Sequence, residues 1–282
     1  MMSGLSKDVI SIISDYFDVN DLYNLRAVFP QYEHTLIISM AKTYEFTYSE
    51  LLKILESDKR QYVRYIRRLT DITDVSIIKE CPDLTELSIT LWDDSEYMKD
   101  GIWPNSLTYL RIDNHLSIPI KLELLPRSLT HLVLAHSFNQ PIYKGYLPQN
   151  LKYLEFGALF NGSIEQGALP DSLKVLHFGH NFNMEIKDGV LPGSLVKLNF
   201  GKHFNQPILK GVLPDSLKEL IFGKYFNQPI GSNVLPTSLT HLSIRNIDNI
   251  ILPDSLINLT VKKGIIKVND LPSSLVNISI GD

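Results

Sequence analysis

Cysteine is nearly missing from this 282-residue chain: there is one, Cys81. A single thiol can close no internal disulfide and supply no cysteine-rich zinc site. An excess of positive charge is also missing. Lys and Arg number 27 against 31 Asp and Glu, a net charge of −4, so the basic balance that draws a protein to nucleic acid is absent. No run approaches the roughly 18 consecutive apolar residues of a membrane-spanning helix. The opening Met1 to Phe17 has no basic start, no unbroken apolar core and no small-residue cleavage pattern, so it does not read as a secretory signal. These absences point to an intracellular, cytoplasmic chain with no membrane and no nucleic-acid partner. There is no phosphate-binding glycine loop, no G-x-G-x-x-G and no H-E-x-x-H. With 44% hydrophobic and 21% charged residues, the composition is globular and excludes a disordered or collagen-like chain.

What the chain has instead is a period. Pro82, Pro104, Pro126, Pro148, Pro170, Pro192, Pro214 and Pro236 stand 22 residues apart, and Pro253 and Pro272 continue the series with gaps of 17 and 19. A fixed period of this length is the signature of a repeat architecture. In the unit beginning Leu213-Pro214, the apolar residues Leu217, Leu220 and Phe222 take relative positions 1, 4 and 6. The same slots hold Leu107, Leu110 and Ile112, then Leu151, Leu154 and Phe156, and so on to Leu275, Ile278 and Ile280. Positions 4 and 6 alternate with polar residues, which predicts a short half-buried strand. So short a strand is stable only when stacked on copies of itself, giving a parallel sheet with one buried face. Ten such strands are counted from Leu84 onward.

The second half of each unit should turn the chain back. Gly157, Gly179, Gly201 and Gly223 mark one corner; Gly145, Gly167, Gly189 and Gly211 mark another. Phe138, Phe160, Phe182, Phe204 and Phe226 recur at the same period, each followed by an asparagine. The expected arrangement is a stacked phenylalanine row closing the core, beside an asparagine ladder bonded to corner backbone groups. No unit has room for a long helix. Cys81 falls in the slot that holds Leu147 in a later unit, which predicts a buried apolar role rather than a catalytic thiol.

Phe138-Asn-Gln-Pro-Ile142, Phe204-Asn-Gln-Pro-Ile208 and Phe226-Asn-Gln-Pro-Ile230 resemble the core of the FNIP repeat. Two further copies depart, with Gly162-Ser163 and Met184-Glu185 in place of Gln-Pro. The resemblance spans about Cys81 to Asp282 and implies a leucine-rich-repeat-like solenoid, in a family of amoebae and of the giant viruses that infect them. It says little of function. A viral chain would work in the host cytoplasm.

Residues 1 to about 60 lack the period and carry helical spacing instead. The segment Leu5-Ser-Lys-Asp-Val9, with Ile13, Leu22, Leu25 and Val28 beyond it, resembles an F-box. Ser6, Phe29-Pro30 and Tyr32 depart from that pattern. The resemblance implies that Leu5, Val9, Ile13, Leu22, Leu25 and Val28 dock a Skp-type adaptor of a cullin complex. The expected fold class is therefore α+β. A small F-box-like helical domain (1–47) leads to a connecting helix and solenoid cap (48–80). An FNIP, leucine-rich-repeat-like β-solenoid of about ten coils (81–282) follows. The basic segment Lys59 to Arg68 reads as a solvated face.

The exposed strand face is the expected binding surface. Position 3 runs Tyr109, His131, Tyr153, Val175, Lys197, Glu219, His241; position 5 runs Arg111, Val133, Glu155, His177, Asn199, Ile221, Ser243. Core slots repeat while these vary, so folding does not dictate them. Tyr109, Arg111, His131, Tyr153, Glu155 and His177 are the candidates for holding a target protein on a concave face, tyrosine and arginine being common interface anchors. The histidines are spaced by two or three coils, too far apart for a metal cluster, and no cofactor or catalytic residue is expected. The sequence thus reads as a substrate receptor of a cullin–RING ubiquitin ligase, monomeric outside that complex and not itself an enzyme. The alternative is a ligase-independent scaffold whose first helices only cap the core.

Overall fold

The computed structural model describes residues 45–57, 60–91, 103–114, 122–134, 136–247, 250–263 and 271–281. The F-box-like helical domain expected over 1–47, with Leu5, Val9, Ile13, Leu22, Leu25 and Val28, lies outside them except for 45–47, which form a strand and not a helix. The chain divides into two units, the first reaching to Leu110 and the second running from Arg111 onward, with Leu91–Asp94 assigned to the second and Ser95–Leu110 to the first.

In the first unit, strand β1 (Glu45–Thr47) leads directly into helix α1 (Tyr48–Leu55). Thr47 starts the helix with a capping box. Its Oγ1 accepts from the Glu50 N–H, and its own N–H donates to Glu50 Oε2 at 2.9 Å. A 3-10 turn at Arg60–Tyr65 buries Tyr62 and Val63. Strand β2 (Arg68–Ile72), a second 3-10 turn at Val75–Glu80 and strand β3 (Glu86–Leu91) follow. β1 pairs with β2 and β2 with β3, all parallel, with Leu69 beside Leu87. Two strands thus precede the ten expected from Leu84, in a stretch without the Leu-Pro step. The basic segment is tied down: Arg60 bridges to Glu80 at 3.1 Å, and Arg67 donates to the Asp83 carbonyl at 2.6 Å. Cys81 is fully buried, and burial, with Glu80 nearby, pushes its thiol up to about 12. That is the inert apolar role its slot predicted.

Strand β4 (Tyr109–Asn114) straddles the division between the units. Beyond it the second unit stacks β5 (His131–Leu134), β6 (Tyr153–Glu155), β7 (Val175–His177), β8 (Lys197–Asn199) and β9 (Glu219–Ile221). The stack continues with β10 (His241–Ile244), β11 (Asn258–Val261) and β12 (Asn277–Ile280). From β5 to β12 each strand pairs in parallel with the next in chain order. Register is strict, Leu132, Leu154, Leu176, Leu198, Leu220 and Leu242 lying side by side. β3 to β12 are ten strands, as counted, in a parallel-sheet β-solenoid of about nine turns with few helices.

Each coil repeats the same local physics. The Leu-Pro step opens a turn in which the Pro214 carbonyl accepts from the Leu217 N–H at 3.1 Å, and the other units do likewise. This turn sets the first core leucine. Within it the Ser194, Ser216 and Ser238 hydroxyls donate to the Leu173, Leu195 and Leu217 carbonyls of the preceding coil at 2.6–2.7 Å. On the return leg, each asparagine side-chain carbonyl accepts from the backbone N–H of the next asparagine, along Asn139, Asn161, Asn183, Asn205 and Asn227, at 2.7–2.8 Å. The expected asparagine ladder is present, and the corner group it satisfies is the neighbouring asparagine's own amide.

The phenylalanine row is also present, and it is double. Phe178, directly after the strand, and Phe182 of the return leg lie near-parallel within one coil, centroids 3.8 Å apart, and Phe160 stacks on Phe182 at 5.8 Å between coils. Phe156, Phe200 and Phe222 join in the same way. Each buried ring contributes about 1.5–3 kcal/mol through burial, and this continuous aromatic spine closes the core opposite the leucines. Gly179, Gly201 and Gly223 let it form. A Cβ there would overlap the carbonyl oxygen of the preceding glycine in the stack.

Two expectations fail on the strand pattern. Ile278 and Ile280, assigned to the core, are 46% and 70% exposed, because no described strand stacks beyond β12. Val133, assigned to the exposed face, is 7% exposed. It is a short side chain beside the longer Glu155, its register partner.

Candidate functional site

The outward positions of the second unit's strands form rows by register: His131 beside Tyr153, Tyr153 beside Val175, Glu155 beside His177, His177 beside Asn199. Four of the predicted residues, His131, Tyr153, Glu155 and His177, meet there as one cluster. The His131 and Tyr153 rings stack at 5.7 Å, and Tyr153 meets His177 edge-on at 5.4 Å. The Tyr153 hydroxyl donates to Glu155 Oε2 and lies 3.4 Å from His177 Nδ1. With the phenol O–H directed at Glu155, the tautomer bearing a proton on Nδ1 suits the contact with His177. His177 Nε2 is buried with no hydrogen-bond partner. Burial lowers the His177 pKa below 6.5, opposed by Glu155 and Glu219 and assisted by Lys197, so near pH 7 the imidazole is neutral.

Arg111 lies on β4 but does not join this cluster. Its guanidinium grips Asp113 with two bonds of 2.7 and 2.9 Å, which holds it flat along its own strand. Tyr109, half-buried, belongs to the first unit. Lys197 and Glu219 pair at 2.8 Å across β8 and β9.

A groove of about 660 Å³ runs across these coils. Position 5 lines it with Arg111, Glu155, His177 and Asn199, and the buried Phe-Gly steps floor it. Its far rim was not foreseen from the sequence: His136, His180, Lys202, Lys224 and Lys262. The signal was present, since His136, His180, Lys202 and Lys224 fall in one slot of the period, two places after the strand's final core residue. Among the described residues no group of three or more His, Cys, Asp or Glu is placed to hold a metal ion. None of their helices is long and apolar enough to cross a membrane.

Short in-register strands, leucine slots and a groove made of variable outward positions define a repeat solenoid of the leucine-rich-repeat kind, resembling known scaffold proteins. The FNIP Repeat family matches residues 117–158, 160–203 and 204–246. The chain carries FNIP repeats. It is similar to CroV588 of a giant virus, described as a novel circular LRR protein, with 34% identity over 77% of this chain and 40% of that one and a TM-score of 0.55. It also resembles TLR13, solved in complex with ssRNA13, at 15% identity over 86% of this chain and 44% of that one, with a TM-score of 0.57. That second likeness concerns the fold alone. The chain spans less than half the length of either structure. No curated protein matches it.

Proposed function

We propose that this chain is a protein-binding module and that the outward strand face of its second unit holds a target protein. The observation carrying this reading is the contrast between invariant core slots and the varied row Arg111, Glu155, His177, Asn199, which opens into a groove of about 660 Å³. Leucine-rich-repeat-like solenoids typically serve protein–protein interaction. The finer reading is a substrate receptor of a cullin–RING ubiquitin ligase. Leu5, Val9, Ile13, Leu22, Leu25 and Val28 would dock a Skp-type adaptor, and the groove would bring the target close to the charged ubiquitin carrier by raising its effective concentration. The F-box resemblance of the first residues supports that half.

Co-purification of the tagged chain from its native cell, with identification of partners, tests both parts. An adaptor–cullin set should appear with the wild type and vanish for Leu22→Asp with Leu25→Asp, while the second unit's circular dichroism stays the same. An unchanged adaptor yield, or none from the wild type, overturns the ligase reading and leaves a ligase-independent scaffold. Tyr153→Ala with Glu155→Ala should lose the target while keeping the adaptor.

A further inference from the structure

We propose that the groove's target is an acidic peptide segment, bound extended across the coils with its carboxylates on Lys202, Lys224 and Lys262. The proposal rests on the protein-binding reading above and names the chemistry of the partner.

Charge carries the argument. The chain as a whole is acidic, at −4, yet the groove is lined by four cations, Arg111, Lys202, Lys224 and Lys262, against two carboxylates, Asp113 and Glu155. Both carboxylates are already engaged, Asp113 by Arg111 and Glu155 by the Tyr153 hydroxyl. The three lysines have no ion-pair partner among the described residues, and Lys202 and Lys224 are exposed. The three ammonium groups line the same groove, and a ligand carrying negative charge complements them.

The backbone fixes their spacing. Lys202 and Lys224 each follow the corner glycine of a tight turn, and the turns are bonded one on the next: His203 N–H to the His180 carbonyl at 2.9 Å, Tyr225 N–H to the Lys202 carbonyl at 3.1 Å. Lys262 N–H is held by the Ile244 carbonyl at 3.0 Å. Successive coils are about 4.8 Å apart and an extended peptide rises about 3.3 Å per residue, so a few residues of peptide span the lysines. The groove suits a peptide better than single-stranded nucleic acid. Strand binding of that kind uses exposed aromatic platforms, whereas the phenylalanines here are buried, and Tyr225 stands outside the groove lining. Glu155 and Asp113 would also oppose an unbroken run of phosphates.

The test is fluorescence anisotropy with the full chain, using a fluorescein-labelled oligo-glutamate peptide and a labelled oligo-uridylate of equal charge. Saturable, salt-weakened binding of oligo-glutamate is expected, tighter than that of oligo-uridylate. The triple variant K202E/K224E/K262E should weaken it by about tenfold or more. K152E/K174E/K218E makes the same charge change at exposed positions outside the groove and should stay within about twofold. The neutral triple K202Q/K224Q/K262Q guards against misfolding from like charge and should lose affinity in the same direction. Absence of oligo-glutamate binding, equal loss in both glutamate triples, unchanged binding by the glutamine triple, or tighter binding of oligo-uridylate overturns the proposal. If oligo-glutamate fails while the Tyr153 and Glu155 variant still loses the native target, the acidic class falls and the protein-binding reading stands. If that variant also keeps its target, both fall.

Discussion

Asn205 donates its backbone N–H to the side-chain carbonyl of Asn183, one coil earlier, at 2.8 Å. The side chain of Asn205 then accepts from Asn227 in the same way. Asn161, Asn183 and Asn205 thus each donate one cross-coil bond through the backbone and accept the next through the side chain.

Breaking that chain at one link should cost about 1 kcal/mol, the net worth of a hydrogen bond plus a part-buried amide left unmatched. Asn183→Ala removes the acceptor for Asn205 and leaves the aromatic spine in place. Urea denaturation should show a lower midpoint with unchanged slope. Phe182→Ala in the adjacent spine should cost more, about 3–5 kcal/mol, because it empties a fully buried ring site.

Glycines at the two kinds of corner should respond very differently to alanine. Gly201→Ala places a Cβ against the Gly179 carbonyl, with a loss of about 3 kcal/mol or more. Gly167 has open space around it and only its φ of +74° to protect, so its alanine variant should lose about 1–2 kcal/mol. Asn233 takes the next place after Gly211 in that series, with φ of 60°. Asn233→Gly should be neutral or slightly stabilising. Thermal melts of the three variants give the order directly.

His177 should make stability fall with acid. Its folded pKa lies below 6.5 through burial. Above that value the ring is neutral in both states and contributes nothing. As pH falls below 6.5 the unfolded chain takes the proton first, which favours unfolding. The loss is complete only once pH passes below the lowered folded value. Melting temperatures measured from pH 7.5 down to 5 should drop less in His177→Asn than in the wild type. Equal drops would show that the ring is not the source.

Cys81 should resist thiol reagents in the native chain. With its thiol pushed up to about 12 and its side chain buried, it offers neither thiolate nor access near neutral pH. Ellman titration should be silent without denaturant and read one thiol with it. Rapid native labelling would contradict the burial.

The period made the stack legible because each core slot and each ladder residue repeats its own chemistry every 22 residues. Elements that break the period were not legible. β1 and β2 lack the Leu-Pro step, yet Leu69 takes the place beside Leu87, and only the stack itself reveals that equivalence. The serine ladder was hidden because Ser216 reads as an ordinary turn residue; that its hydroxyl reaches back to Leu195 is a property of two coils, not of one. Phe178 and Phe182 are four apart in a stretch with no helix, and they meet only because the turn at Gly179 folds one leg onto the other. At the candidate site, the cluster of His131, Tyr153, Glu155 and His177 followed from counting strand positions. Arg111 was placed correctly on the face, but its grip on Asp113 was not foreseen. The lysine rim lies past the strand, where alternation no longer tells which side chains face a groove.

The cross-coil bonds of asparagine, serine and turn backbone each join a fixed slot of one coil to a fixed slot of the coil before it. Excise residues 180–201 and nothing is orphaned. The Asn205 amide would meet Asn161, the Ser216 hydroxyl would meet the Leu173 carbonyl, and Phe204 would stack on Phe160. The solenoid is modular in the strict sense: its length can change by whole coils without altering the chemistry at any joint. A lengthened or shortened relative would differ from this chain chiefly in how many lysines, histidines and carboxylates it can line up along one groove.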